Sequence, residues 1–121
     1  MKDDLAKYIG GAAGGTQRRI YVAGPMRGYD SYNYPLFYAV AEELRGAGAF
    51  VVNPAEVSEL VGTADEIDST PAILAHLMEA DVSFLKTCDA VVLLPGWEWS
   101  EGARDELRAA LSLGIRVFQW G

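Results

Sequence analysis

Residues 89–120 read DAVVLLPGWEWSEGARDELRAALSLGIRVFQW, and this stretch decides the fold class. It opens with an uninterrupted apolar run after Asp89, which is typical of a strand in a parallel sheet that is covered on both faces. A helical pattern from Gly102 to Leu113 follows, and the apolar residues of IRVFQW then indicate another strand. The stretch therefore predicts one strand–helix–strand unit of a parallel sheet.

The rest of the chain repeats this alternation of strands and helices. RRIYVAG (18–24) and AFVVNP (49–54) are predicted strands, PLFYAVAEELRGAG (35–48) and PAILAHLMEADVSFLKTC (71–88) are predicted helices, and residues 54–70 are acidic and irregular. The pattern predicts an α/β fold, a doubly wound Rossmann- or flavodoxin-like sheet of four to five mainly parallel strands with flanking helices. With the first strand between the second and the third, a ligand is expected between the loops after the first and third strands.

Composition narrows the classes of partner. The chain has 121 residues and a net charge of −7, which argues against a polymeric nucleic acid, and it has no apolar run long enough for a membrane. One cysteine, Cys88, excludes an internal disulfide and favours the cytoplasm. We expect a flexible Gly/Ala-rich tail over residues 1–17 and a single domain over residues 18–121. A small anionic ligand stays open, because net charge does not determine the potential of a pocket.

Two acids are predicted to lie on the apolar faces of helices. Glu106 has Gly102, Ala103, Ala110 and Leu113 as its helical neighbours, and Asp81 has Leu74, Leu77, Met78 and Leu85. Burying an unpaired carboxylate costs roughly several kcal/mol of folding free energy unless the group is protonated or hydrogen-bonded. Asp81 alternatively ends its helix and caps a turn. Two such acids beside one sheet favour acid–base and nucleophilic work at a glycosidic carbon.

Two glycine-containing loops are candidate anion sites. In GPMRG, the backbone of Gly24 and Gly28 can approach an anion and Arg27 offers a planar fork of donors, although an ordinary turn with a surface arginine fits as well. In SEG, Ser100 either caps the last helix or meets a phosphate together with the Gly102 amide. Because both loops are predicted at the same edge of the sheet, their convergence favours the anion site.

Other chemistries find little support in the sequence. His76 is the single histidine, so a zinc site is not expected, and the WSEG stretch lacks the glycine that precedes a nucleophilic serine in an elbow. No metal and no cofactor are predicted. The aromatic residues of the two loops either pack the rim or stack on a nucleobase; they are Tyr29, Tyr32, Tyr34, Trp97 and Trp99.

Three motifs carry a resemblance to a known family. IYVAGPMRG, EADVSFLKTCDAVVLL and SEGARDELRAALSLGIRV make the chain from Arg19 to Trp120 similar to the nucleoside 2-deoxyribosyltransferase superfamily. It resembles in particular the 2′-deoxynucleoside 5′-monophosphate N-glycosidases and short phage-type members. The sequence departs from the usual pattern next to the glutamate, where Asp105 replaces an aromatic residue and Arg108-Ala109 replaces a Gly-Arg pair.

The resemblance implies a role for each candidate residue. Glu106 takes the place of the nucleophile that attacks C1′, and Asp81 takes the place of the acid that assists proton transfer. Arg27 and Ser100, with Gly24, Gly28 and Gly102, are expected to hold the phosphate. The residues expected around the base and sugar are Tyr21, Pro25, Met26, Tyr29, Trp97 and Trp99.

The expected function is hydrolysis of the base–sugar bond of a 2′-deoxynucleoside 5′-monophosphate through a glutamate nucleophile. One alternative is base exchange, as in a nucleoside 2-deoxyribosyltransferase, and another is a non-catalytic protein that binds a nucleotide or a signalling metabolite. The expected partners are the small-molecule nucleotide and a second copy of the chain, because the resemblance implies a homodimer or a larger homo-oligomer.

Overall fold

The computed structural model describes residues 1–63, 66–67 and 70–121. Over these residues the sheet has four parallel strands, in the order β2-β1-β3-β4. The strands are β1 (Arg19–Ala23), β2 (Phe50–Val52), β3 (Ala90–Leu93) and β4 (Arg116–Gln119). The predicted α/β fold class and the parallel sheet are confirmed, and the first strand lies between the second and the third.

Helices connect the strands and follow local sequence signals. In the described residues they are α1 (Asp3–Gly10), α2 (Tyr34–Gly46), α3 (Pro54–Val61), α4 (Pro71–Leu85) and α5 (Glu101–Leu113), with 3₁₀ turns at Asp30–Asn33 and Trp97–Trp99. Asn53 caps α3 by accepting a hydrogen bond from the Ala55 amide at 3.0 Å, and a proline opens α3 and α4. Gly114 ends α5 in the left-handed conformation. None of these helices is both long and apolar enough to cross a bilayer.

The sheet is covered on both faces because successive strand residues point to opposite sides. Ile20 and Val22 face a cluster that includes residues of α1 and α2, whereas Tyr21 and Ala23 face a cluster that includes residues of α4 and α5. This arrangement leaves the carboxyl ends of β1 and β3 beside the first turns of α5. The doubly wound layering therefore brings the loops after these two strands together, as the sequence predicts.

The first ten residues differ from the expected flexible tail. Within residues 1–17, the segment Asp3–Gly10 is a helix whose Leu5 and Ile9 are buried in the core at 1% and 4% exposure. The physical reason is that these two side chains lie four residues apart on one face of the helix. The ring of Tyr8 adds to the docking, because the guanidinium of Arg18 lies 4.4 Å from its centroid.

Residues 54–70 also differ from the expected irregular segment. Helix α3 occupies Pro54–Val61, and its Ala55 and Ser58 are buried. The cap that Asn53 provides and the proline at the first position explain why a helix begins here. The remainder of the acidic stretch includes residues 64–65 and 68–69, which lie outside the described residues.

Candidate active site

A cavity of about 340 Å³ opens at the carboxyl edge of the sheet. Its walls come from the loop after β1, the start of α3, one face of α4 and the first turns of α5. The volume lies at the lower end of the range of small-molecule pockets. The described residues that line it are Gly24, Met26, Arg27, Tyr32, Tyr34, Phe37, Pro54, Ser58, Ile67, Leu74, Leu77, Met78, Asp81, Glu101, Gly102, Ala103 and Glu106.

Glu106 reaches this cavity from α5 with its carboxylate largely withdrawn from solvent. Its Oε2 atom is buried and has no hydrogen-bond partner among the described residues. Burial raises the pKa of Glu106 to about 8; the nearby Tyr21 hydroxyl opposes this shift, and the charges of Asp81 and Asp105 add to it. The carboxyl group therefore carries a proton far more readily than an exposed glutamate does.

Tyr21 lies on β1, close to Glu106. Its side chain is fully buried, and its hydroxyl lies close enough to Glu106 to affect the pKa of the acid, although the pair does not meet the geometry of a full hydrogen bond. Burial, Glu106 and Asp81 raise the pKa of Tyr21 well above its usual value. The phenol therefore keeps its proton and faces the carboxylate as a potential donor.

Asp81 lines the same cavity from α4. Burial raises its pKa to about 7, and its charge contributes to the raised pKa of Glu106. Both acids were expected on apolar helix faces, and the structure places both on faces that border one cavity. Two neighbouring carboxyl groups with raised pKa values can hold one proton between them near neutral pH. Such a pair can supply both a nucleophile and an acid.

The predicted phosphate residues divide into two groups. Gly24, Arg27 and Gly102 line the cavity, whereas Gly28 and Ser100 lie outside its lining. The backbone of Gly24 passes so close to the residue after β3 that an added Cβ would lie 2.7 Å from Leu94 Cβ. Only glycine fits there.

Ser100 acts as the cap of α5. Its Oγ accepts a hydrogen bond from the Ala103 amide at 3.2 Å, which is the simpler of the two roles that the sequence left open. The neighbouring Glu101 and Gly102 line the cavity. The amino end of α5, which carries the positive end of the helix dipole, therefore borders the site.

Several of the predicted base and sugar contacts lie elsewhere. Trp97 packs against the core cluster below α5, and Trp99 is 86% exposed. Tyr29 is also exposed, and its hydroxyl lies against Gly96, next to the buried Pro25. The loops reach the site as predicted, but the 3₁₀ turn at Trp97–Trp99 directs one indole into the core and the other into solvent.

The other two predicted contacts are Met26 and Tyr21. Met26 lines the cavity, and Tyr21 lies beside Glu106 rather than in the lining. Among the described residues no group of three or more His, Cys, Asp or Glu side chains is arranged to hold a metal ion.

Comparison with known proteins identifies the family. Residues 18–119 match the model of a family described as a domain of unknown function, DUF4406. The chain belongs to the DUF4406 family. No curated protein matches it.

The fold of this DUF4406 protein is also found in a solved enzyme structure. It is similar to 2-desoxiribosyltransferase from Leishmania mexicana, with a TM-score of 0.61, 19% sequence identity and 85% of this chain covered. The match spans 63% of the length of the Leishmania chain. At this identity the likeness establishes a shared fold.

The DUF4406 site contains residues that sequence reasoning did not assign, together with two loop tyrosines that the sequence left open as rim or base-stacking residues. Tyr32, Tyr34 and Ser58 contribute polar groups to the cavity, and Leu74, Leu77 and Met78 form an apolar stripe along α4. The helical spacing of the α4 residues predicts an apolar face around Asp81, but it does not show that this face borders a cavity. Ser58 was missed because its segment was expected to be irregular rather than helical.

Proposed function

We propose that this DUF4406 protein is an N-glycosidase that hydrolyses the base–sugar bond of a 2′-deoxynucleoside 5′-monophosphate. The observation that carries the proposal is the pair formed by Asp81 and Glu106, which lie on separate helices and line one cavity with raised pKa values. The fold shared with a 2-desoxiribosyltransferase supports chemistry at the same sugar carbon. Perturbed acids in a cleft are typical of catalytic sites.

In the first step Glu106 attacks C1′ of the sugar. A carboxylate oxygen forms the new bond to C1′ while the bond between C1′ and the base nitrogen breaks, and its electron pair leaves with the base. Protonated Asp81 donates its proton to the departing base. The product of this step is a glycosyl ester on Glu106 and a free base.

In the second step water resolves the ester. Asp81, now ionised, accepts a proton from the water as the water oxygen attacks C1′, and the carboxylate of Glu106 leaves. The step releases the sugar phosphate and restores the starting proton on Asp81. The missing 2′-hydroxyl of a deoxyribose favours positive charge at C1′ in both steps.

The site is suited to hold the required proton. With pKa values of about 7 for Asp81 and about 8 for Glu106, the pair binds one proton near neutral pH. The higher pKa belongs to Glu106, so the productive form, which has the proton on Asp81, is the minor one. The protonated phenol of Tyr21 favours this form because it stabilises a negative charge on Glu106. Tyr21 is therefore proposed as a positioning residue for the nucleophile.

The phosphate is proposed to bind where the loop after β1 meets the start of α5. Arg27 and the Gly102 backbone border the cavity there, and the amino end of α5 favours an anion. Gly28 follows Arg27 in the chain and Ser100 caps α5, and both are proposed as outer members of the same cradle. Fixing the phosphate holds C1′ against Glu106, which lowers the entropy cost of the reaction.

One observation favours a second candidate, a nucleoside substrate with transfer of the sugar to another base. Glu101 lines the cavity beside Gly102, and its negative charge would repel a phosphate. The uncharged 5′-hydroxyl of a nucleoside would instead donate to it. Replacing Glu101 by Gln separates the two: it should raise kcat/KM for nucleotides if they are the substrates, and lower it for nucleosides if those are.

The experiment that tests the proposal is chromatography of free bases after incubation with a panel of deoxy- and ribonucleosides and their 5′-monophosphates. We expect base release from a 2′-deoxynucleoside 5′-monophosphate, and at least a ~10³-fold slower release by Glu106→Gln, which lacks the nucleophile. An added second base separates hydrolysis from transfer. Tight binding of an unchanged nucleotide with no base released would contradict the proposal and favour the non-catalytic binder.

A further inference from the structure

The loop after β1 contains a run of backbone strain at the edge of the cavity. Ser31, Tyr32 and Asn33 have φ values of 51°, 53° and 59°, so three consecutive non-glycine residues adopt the left-handed conformation. Each such residue costs free energy because its Cβ crowds the backbone. Strain of this kind persists only where the surrounding structure holds it, and it concentrates at functional sites.

Two features hold the strained turn in place. The Asn33 side chain donates a hydrogen bond from Nδ2 to the Pro25 carbonyl at 2.9 Å, which ties the turn to the start of the same loop. On the other side, α2 begins at Tyr34, and its Phe37 is buried in the core. The turn is therefore fixed at both ends, between the strand that carries Tyr21 and the first turn of α2.

The consequence of the turn is the position of two aromatic rings. Tyr32 and Tyr34 both line the cavity, with ring centroids 6.2 Å apart and planes inclined by 44°. The same cavity is lined by the apolar stripe of α4, Leu74, Leu77 and Met78. Leu74 lies seven residues before Asp81, so the stripe extends about 10 Å along the helix from the acid.

We propose that Tyr32 and Tyr34 form the wall on which the nucleobase stacks, and that the left-handed turn Ser31–Asn33 is the device that places them there. This inference rests on the proposed function, because it assigns the base end of the same substrate. Aromatic and aliphatic surfaces bind the flat faces of any base, and the two tyrosines and the α4 stripe supply such surfaces to the cavity. Recognition is therefore dominated by the face of the base.

The test compares ligands that differ by the base alone. Calorimetry would measure binding of the four 2′-deoxynucleoside 5′-monophosphates and of 2-deoxyribose 5-phosphate to Glu106→Gln, which does not turn them over. Adding Tyr32→Ala or Tyr34→Ala should weaken nucleotide binding by about 10-fold, within the roughly 5- to 150-fold loss typical of a stacking aromatic. Affinity for the sugar phosphate should change less than about twofold, since that ligand has no base to stack.

Matched variants separate stacking from loss of the loop. Tyr32→Phe and Tyr34→Phe keep the ring and should retain most of the nucleotide affinity. Phe50→Ala removes an exposed aromatic side chain at the amino edge of the sheet and should not change the affinity for either ligand. Asn33→Gly keeps the left-handed backbone but removes the hydrogen bond to Pro25. It should weaken the binding of nucleotides more than the binding of the sugar phosphate.

Three outcomes would overturn the inference: unchanged nucleotide affinity in both alanine variants, equal weakening of nucleotide and sugar phosphate, or no nucleotide binding to the parent protein. The proposed function fails separately. If the unsubstituted enzyme binds nucleotides through these tyrosines but releases no base, the stacking wall stands and the N-glycosidase proposal falls.

Discussion

The amino and carboxyl edges of the sheet differ in whether their polar groups are hydrogen-bonded. At the amino edge, the Arg19 amide donates to Asp89 Oδ2 at 2.8 Å, and the Arg19 guanidinium donates to the Thr87 carbonyl at 2.8 Å. At the carboxyl edge, the hydroxyl of Tyr21 and Oε2 of Glu106 are buried with no hydrogen-bond partner among the described residues. The edges are built from the same strands, so the difference comes from the side chains.

The hydrogen-bonded groups at the amino edge stabilise the fold, whereas the unpaired groups at the carboxyl edge are available for chemistry. A paired group at the surface contributes modestly to folding, whereas an unpaired buried group costs free energy. The polar contacts of Arg19 hold the start of β1 against the segment before β3. The unsatisfied groups at the other edge reduce stability, and a bound substrate or a moving proton would satisfy them.

The largest effect is expected from a pair of aspartates, one at each edge. Asp81→Asn removes the proposed acid and should lower base release by about 10²- to 10⁴-fold with little loss of stability. Asp89→Ala removes the acceptor for the Arg19 amide and should lower the free energy of unfolding by about 1 kcal/mol while the rate per folded molecule is kept. Steady-state kinetics measure the rates of the two variants, and thermal denaturation measures their stabilities. Similar losses of rate in both variants would contradict the proposed difference between the two edges.

The carboxyl edge should also set how stability depends on pH. Asp81 and Glu106 have folded pKa values of about 7 and 8 against ordinary values of 3.8 and 4.5, so the folded state binds more protons between about pH 4 and pH 8. The free energy of unfolding should therefore fall as the pH rises through this window. At pH 8 the Asp81→Asn, Glu106→Gln double variant should be more stable than the parent by about 2 kcal/mol or more.

At pH 4 this difference should close, because both acids are then protonated in the folded state. Denaturant unfolding of the two proteins across this range is the measurement. Parallel curves, with a constant offset from pH 4 to pH 8, would contradict the account of the two acids as buried carboxyl groups.

A smaller effect is expected from the arginine at the carboxyl edge. Arg27→Lys keeps the charge but loses the planar fork, so KM for the nucleotide should rise by about 10-fold with kcat nearly constant. Turnover of the matching nucleoside, which has no phosphate, should not change. A KM that rises equally for both substrates would remove the phosphate role of Arg27.

The smallest effect is expected at Trp99, which the sequence predicts in the site and the structure places in solvent. Because this side chain is 86% exposed and does not line the cavity, Trp99→Ala should change kcat/KM by less than about twofold. A tenfold or greater loss of kcat/KM in the same assay would instead show that the loop after β3 takes part in binding the base.

The sequence predicts the parts that follow from periodicity. The strands and the two acids on apolar helix faces follow from residue spacing, and the structure confirms the fold and places Asp81 and Glu106 at one cavity. Leu5 and Ile9 also have helical spacing, but the glycines that follow them favour a flexible tail over residues 1–17, and this tail was the prediction from the sequence.

The direction of loop side chains could not be predicted in this way. Nothing in DSYN signals three left-handed residues, because glycine is absent and the strain is held by tertiary contacts such as that between Asn33 and Pro25. For the same reason the inward turn of Trp97 was not foreseen. Spacing places a loop at an edge, but packing decides which of its side chains enter the site.

The most direct test of the central claim, that Glu106 bonds to C1′ with Asp81 as its acid, is mass spectrometry of the enzyme quenched in acid during turnover. The account predicts a 2-deoxyribosyl 5-phosphate adduct on the peptide that contains Glu106, and none in Glu106→Gln. An adduct on a different residue, or undiminished base release by Glu106→Gln, would contradict the account.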